Sequence, residues 1–572
     1  CFLSLNNIIN LYECHLGLRP LSLPLFRRSS RNVNSPAPVD CQLSQWSEWT
    51  DCFPCQEKKH RYRRLVQPAK FSGRQCAGYF WDEEACRTET TCTGPPTCGK
   101  DFQCEETGRC IKRHLVCNGE PDCRDGSDEE NCEEEDIESP CEDLFPIPGS
   151  EKAAQGYNIL TQEESQYVYD HKFFGGHCEY VYNGEWRELK YDAACERLYY
   201  GDDEKYFRKP YNFHLYQFLA HADSGFTFET YEDSKDLLDA LKKEKSGSIG
   251  LNFGISPKKI PMLSGSSCFL YLQDLEFIRA VTKVQTARFK MRRDNIVLDE
   301  DMLLALRELP DTYNYGMYAK FINDYGTHFM TSGTMGGVFE YILVINKEEM
   351  RRKDVRTEQL NGCVGLSLGV TATLKKLQLI PTVSASYCAS QGFMKTGMIA
   401  GNRAVVEDII PRIKGGDTSY SGGLLNSWDG NMYRHWGRSL KYNPAVIDFE
   451  LQPIHEILHR SNLADMETKR QNLKRALEDY LSEFNACRCG PCQNNGEPIL
   501  VGDTCFCQCR PGDEGPACEQ TERGEKKGHW SCWSQWGPCQ SGTAQRSRQC
   551  NNPSPQRGGE PCAGRDQQSK AC

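Results

Sequence analysis

Cysteine placement constrains this chain more than any other feature. Of 572 residues, 32 are cysteine, and they crowd the two ends while residues 135–486 hold few. An even, closely spaced set reads as a disulfide framework made in an oxidising compartment, so the chain is expected to be secreted. Small cross-linked modules cannot bury a large core. The cysteine-poor middle can, and it is expected to carry the main activity. The formal net charge of -11 argues against a nucleic-acid partner. No run of about 18 apolar residues occurs, so no transmembrane helix is expected and membrane contact would need amphipathic elements. Residues 1–40 are left as an unassigned leader. They open at Cys1, lack a clean secretory pattern over 1–34, place Cys1 and Cys14 in no module, and offer Arg27-Arg28 only as a weak processing signal.

Within the middle block, apolar spacing predicts helices over 233–245 (Leu237, Leu238, Leu241), 300–309 and 463–484 (Leu463, Leu473, Leu477, Leu481). Gly337–Ile345 reads as a strand. Helix and strand mix without regular alternation, which indicates an α+β fold. Two stretches behave differently. From Val364, apolar residues fall at Val364, Leu366, Leu368, Val370, Ala372 and Leu374, with Gly, Ser or Thr between most of them. Lys375-Lys376 interrupts, and a weaker alternation runs from Leu377 to Tyr387. Each arm has about the length of a tilted membrane strand, and Cys363 and Cys388 bracket the pair. The other stretch is shorter: Ile249, Leu251, Phe253 and Ile255 alternate, Ser256-Pro-Lys-Lys259 turns, and Ile260–Leu272 follows with an unexplained Cys268. From the residues alone, an ordinary soluble hairpin is the better reading of each. His328 has no acid, nucleophile or metal partner spaced near it and reads as structural. His455-Glu456-Ile457-Leu458-His459 matches His-Glu-x-x-His and raises a zinc protease, with Glu478 as a possible third ligand. Asn462 and Asp465 stand where the extended zinc motif needs Gly and His.

The terminal modules have family resemblances. Residues 41–93, with Trp46-Ser-Glu-Trp49 before Cys52 and Arg61, Arg63 and Arg64 after it, resemble a thrombospondin type 1 repeat. In that module stacked Trp and Arg replace a hydrophobic core. The resemblance implies the bridges Cys41–Cys76, Cys52–Cys86 and Cys55–Cys92, and C-mannosylation at Trp46. Residues 96–133 resemble an LDL-receptor class A repeat, which implies Cys98–Cys110, Cys104–Cys123 and Cys117–Cys132. It also implies a structural calcium on the side chains of Asn118, Asp122, Asp128 and Glu129 and the carbonyls of Leu115 and Glu120. Asn118 replaces the usual Asp and costs the site one charge. After an acidic linker, Cys141 and Cys178 are the next two cysteines and are expected to pair. Residues 487–519 resemble an EGF-like module, which implies Cys489–Cys505, Cys492–Cys507 and Cys509–Cys518. Residues 529–572, with Trp530, Trp533 and Trp536, resemble a second thrombospondin repeat, with Trp533 as a mannosylation site. The two modules have odd cysteine counts, so one bridge is expected to cross between them, with Cys487 and Cys532 as candidates.

In the middle, Tyr318 followed by Tyr325-Gly326-Thr327-His328-Phe329 resembles the signature of the membrane-attack-complex/perforin family. Over 135–486 this implies a bent, twisted antiparallel sheet with flanking helical clusters, Gly415-Gly416 at the bend, and pore formation without catalysis. In the family, two segments placed like 249–272 and 364–387 pack as helices in the soluble form and open into membrane hairpins on assembly. The bridge Cys363–Cys388 would then close the base of one. The module order is similar to the chains of the eighth complement component. Cys195, in Tyr191-Asp-Ala-Ala-Cys195, has no local partner, which resembles the alpha type. That implies an interchain disulfide to a lipocalin-like gamma chain, a noncovalent beta chain, recruitment of the ninth component, and insertion into a target-cell membrane. A beta-type chain, a zinc protease and a non-inserting adhesion protein remain the alternatives.

Overall fold

A computed structural model describes residues 35–571 except 55, 90–97, 133–140, 142, 183–186, 189–196, 199–205, 220–226, 232–236, 238–239, 241–274, 369–384, 392–404, 418–429, 462, 464–465, 495, 510–512, 522–527, 529, 532, 535, 541, 552–553 and 556–560. Its centre is an eight-stranded antiparallel sheet. The strands are β1 (Gln155–Asn158), β2 (Glu163–Tyr167), β3 (Phe213–Phe218), β4 (Thr227–Tyr231), β5 (Leu275–Met291), β6 (His328–Asn346), β7 (Val406–Lys414) and β8 (Ala445–Pro453).

Strands β5 and β6 are long and pair from Leu275↔Asn346 to Lys290↔Ser332. Their outer partners change midway. On β5, β4 covers Phe277–Val281 and β3 covers Ala287–Met291. On β6, β7 covers Val338–Ile345 and β8 covers His328–Gly336. The sheet therefore has an upper half (β4, β5, β6, β7) and a lower half (β3, β5, β6, β8, with β1 and β2 beyond). The β5–β6 register slips at Gln285/Ala287, opposite Gly336. A Cβ at Gly336 would clash with the Val284 carbonyl, so the two long strands approach there as only glycine allows. Gly415 and Gly416 sit at the same level with φ +76° and +71°. A Cβ on Gly415 would lie 2.5 Å from the Gly336 carbonyl oxygen, and Trp436 Nε1 donates to the Gly415 carbonyl at 2.8 Å.

Besides a four-residue turn of helix at Ser150–Ala153, the described residues form the helices α1 (Glu300–Glu308), α2 (Tyr315–Tyr325), α3 (Lys347–Arg352), α4 (Thr357–Leu368), α5 (Ala385–Ser390), α6 (Gly430–Ser439), α7 (Glu456–Arg460) and α8 (Glu467–Glu483). Asp299 caps α1 by accepting from the Asp301 amide, and Asn314 caps α2 by accepting from Met317. The apolar faces of α1, α2 and α8 (Met302 and Leu306; Tyr318, Phe321 and Ile322; Leu473, Leu477 and Tyr480) close a large core on the lower half with Phe213, Phe289 and Phe329. Of the predicted helix over 233–245, Leu237 is described and buried; most of the rest lies outside the described residues.

The Tyr318–Phe329 signature ties this core together. Helix α2 ends at Gly326, whose φ is +91° and whose added Cβ would lie 2.7 Å from the Tyr157 amide nitrogen. The Thr327 hydroxyl donates to the Tyr157 carbonyl at 3.1 Å and accepts from the Ile159 amide at 3.0 Å. The Tyr318 hydroxyl donates to the Pro310 carbonyl, and Tyr325 and Phe329 are buried. His328 is buried with Nδ1 3.0 Å from Thr327 Oγ1. Burial, helped by nearby His455, pulls its pKa down to about 4.

A folded-state pKa below the unfolded value of about 6.5 gives stability that is present above pH 6.5 and lost as pH falls toward 4. The loss at His328 is on the order of 3 kcal/mol. Denaturant titrations of wild type and His328→Asn between pH 7 and 4.5 should show a lower neutral-pH stability and a flatter acid limb in the variant. Parallel acid limbs would contradict the assignment.

Candidate membrane-insertion region and calcium loop

Two long chain segments leave the sheet at one end. Residues 232–274 join β4 to β5, and residues 347–405 join β6 to β7. The four strand ends involved are neighbours: Tyr231 pairs with Phe277, Leu275 with Asn346, and Ile345 with Val406. In the second segment, α3, α4 and α5 fold back on one face of the upper half. Val355, Leu360, Cys363 and Cys388 pack with Ile278, Val284, Phe339, Leu343 and Ile345 in a second core. The Cys363–Cys388 disulfide joins α4 to α5.

The period-two alternation that begins at Val364 is not a strand here. Val364, Leu366 and Leu368 lie in the last turns of α4, and Tyr387 lies in α5. Val370, and Ile249, Leu251, Phe253 and Ile255 of the first segment, lie outside the described residues, as do Cys195, Cys268, Cys55 and Cys92. Among the described residues no helix is long and apolar enough to cross a membrane.

The other face of the upper half carries a row of alternating charges that the sequence did not reveal. Glu229 on β4 and Arg279 on β5 are opposite each other, 2.9 Å apart. Arg279 also bonds Glu340 on β6, and Glu340 pairs with Arg412 on β7 at 2.9 Å. Arg279 and Glu340 are buried. A row that alternates across four strands penalises any slip in register.

In the LDL-receptor-like module, Asp122 and Asp128 are buried. Asp128 accepts from the Asp122 and Cys123 amides, and Glu129 accepts from the Asn118 and Gly119 amides. Carboxylate oxygens keep a second lone pair beyond such bonds. Burial, then the charges of Asp128 and Glu120, push the Asp122 carboxyl up to about 6. A buried, oxygen-only set with excess negative charge suits a hard dication. The Asp122, Asp128 and Glu129 oxygens are not all within 4.8 Å of one another. Cys41, Cys76 and Asp503 do converge, but both sulfurs are in a disulfide.

The zinc motif does not assemble. His455 is buried and 3.0 Å from Glu456, whereas His459 is exposed on the five-residue α7. Among the described residues no metal-ligand cluster includes either histidine.

The structure pairs Cys41–Cys76, Cys52–Cys86, Cys98–Cys110, Cys104–Cys123, Cys117–Cys132, Cys141–Cys178, Cys489–Cys505, Cys492–Cys507, Cys509–Cys518 and Cys550–Cys562. Cys532, the expected partner of Cys487, lies outside the described residues. In the first thrombospondin repeat Arg61 lies 4.8 Å from the Trp46 ring and 4.5 Å from Trp49, and Arg63 lies 4.5 Å from Trp46. In the second, Arg546 and Arg548 stack on Trp530, Trp533 and Trp536.

Residues 147–490 match the MAC/Perforin domain, and 96–132 the low-density lipoprotein receptor domain class A. Residues 492–520 match the EGF-like domain shared by the alpha and beta chains of the eighth complement component and by the sixth component. Residues 44–92 and 528–572 match the thrombospondin type 1 domain. The chain is 56% identical to the complement component C8 alpha chain of Oryctolagus cuniculus, over 94% of both chains. It is 33% identical to the C8 beta chain of Rattus norvegicus, over 95% of this chain and 92% of the relative. A solved structure of GNIP1Aa from Chromobacterium piscinae matches at 16% identity and TM-score 0.35, covering 59% of this chain and 57% of that one. The chain belongs to the MAC/Perforin family, as a non-enzymatic, pore-forming component of the complement type.

Proposed function

We propose that this chain circulates as a secreted subunit and enters target membranes during assembly of the membrane attack complex by opening residues 232–274 and 347–405 into amphipathic hairpins. The observation that carries this reading is the shared exit of both segments from one end of the upper sheet. Each segment joins two antiparallel strands, so a hairpin made from it continues the existing ladder without new topology. A lone hairpin leaves edge amides unsatisfied in lipid, so closure requires neighbours side by side. The ninth complement component is the proposed recruit. Residues Val364, Leu366, Leu368 and Val370, with Ile249, Leu251, Phe253 and Ile255, are the proposed lipid-facing positions.

The alpha-type reading further proposes a lipocalin-like gamma chain bridged at Cys195 and a noncovalent beta chain. Its support is the full-length similarity to a C8 alpha chain, well above that to beta chains. Calcium is proposed on Asn118, Asp122, Asp128 and Glu129 with the Leu115 and Glu120 carbonyls. Bound there, it neutralises the acidic loop and stiffens the module.

Environment-sensitive fluorophores on single cysteines at 364–370 test insertion. On vesicle-bound assembly, positions 364, 366, 368 and 370 should shift to a lipid-like signal while 365, 367 and 369 do not. A helical period, or no change in a leaking assembly, would contradict the hairpin. Non-reducing mass spectrometry of the secreted protein tests the covalent partner. A bridge from Cys195 to a separate chain, lost in Cys195→Ala, is expected; a bridge from Cys195 to Cys268 would contradict it.

A further inference from the structure

The calcium loop is pressed against the perforin-like domain. Arg208 is buried and ends the ribbon in which Tyr180–Tyr182 pairs with Tyr206–Arg208. Its two terminal nitrogens donate to the two carboxylate oxygens of Glu120 at 2.6 and 2.7 Å. The same guanidinium lies 4.0 Å from the Phe174 ring and donates to the His177 carbonyl. Its backbone is pinned on both sides, donating to the Phe145 carbonyl and accepting from the Ile147 amide. The backbone of Gly175 lies beside the Asp122 carboxylate and favours its charged form. Gly176 abuts Leu115 so closely that an added Cβ would lie 2.7 Å from its Cδ2. Phe173 packs on the module's small core of Cys104, Ile111, Leu115 and Cys123. Leu115, Glu120 and Asp122, three residues of the proposed calcium set, thus touch residues 173–176 or Arg208.

We propose that Arg208 is a positioning residue of the calcium site, acting from the neighbouring domain. By gripping the Glu120 side chain it fixes the peptide whose carbonyl is assigned to calcium. Calcium in turn locks the base of the ribbon whose intervening residues, 183–205, include Cys195. The inference rests on the calcium reading above. Because binding free energies are linked, whatever the docked domain adds to calcium affinity, calcium returns to the docking. Outer-shell partners of this kind commonly change metal affinity by about 10-fold to 100-fold. A buried ion pair that merely glues two domains would instead leave calcium affinity alone.

The test uses full-length protein, competition for calcium against a fluorescent chelator, and three variants. Arg208→Gln should bind calcium at least about 10-fold more weakly, with Arg208→Lys between it and wild type. Arg124→Gln removes another contact between the same domains, to Asp301 at 2.5 Å, that touches no assigned ligand. It should change affinity by less than about twofold. Wild-type amides at 206–208 should exchange with deuterium faster once calcium is chelated, a readout that stands even if Arg208→Gln is not secreted. Unchanged exchange at 206–208, wild-type affinity in Arg208→Gln, or equal weakening in Arg208→Gln and Arg124→Gln would overturn the proposal. Wild type that binds no calcium would bring down the calcium reading itself, and this inference with it.

Discussion

One continuous ladder, β5 against β6, holds the structure together. It runs unbroken from Leu275↔Asn346 to Lys290↔Ser332 apart from the slip at Gln285. Every other central strand pairs with β5 or β6 except β2, which pairs with β1. The lower half is closed by a large core and by the signature residues that pin β6 to β1. The upper half is covered in part by helices drawn from the segment proposed to leave it. The proposed insertion keeps the lower half and converts the upper one, with the close approach at Gly336 at the boundary.

The proposed conversion must give up the contacts of Val355, Leu360 and Cys363 with the sheet. Burial of a few apolar side chains stabilises by several kcal/mol in all, at about 1.5–3 kcal/mol each. That holds the soluble form until strand pairing and lipid burial offset it. In the proposed conversion the charge row of Glu229, Arg279, Glu340 and Arg412 stays on the sheet. A buried ion network of this kind adds little net stability, but its alternation favours one register of the four strands.

Legibility in the sequence followed the distance over which each feature is built. The Tyr318–Phe329 motif and the cysteine-framed modules are local, and their residues carry their own constraints: a capped helix, a left-handed Gly326, an acidic loop between bridges. Gly415-Gly416 could be singled out as a pair, but Gly336 could not, because its constraint comes from the Val284 carbonyl on another strand. Arg208 and Arg279 were invisible for the same reason, each meeting a carboxylate far along the chain. The alternation from Val364 was readable and still did not predict the local structure. Its first residues are helical here because burial of α4 on the sheet outweighs a weak strand preference.

The central claim is that α4 and α5 leave the sheet face as residues 347–405 extend its strands. Spin labels at Glu358 on α4 and Lys283 on β5, both exposed in this fold, measure that movement by the distance between them, in the free protein and in the membrane-bound assembly. An extended strand rises about 3.3 Å per residue against about 1.5 Å in a helix. The account predicts that the distance lengthens by about 20 Å or more on assembly. An unchanged distance in assemblies that leak would contradict it.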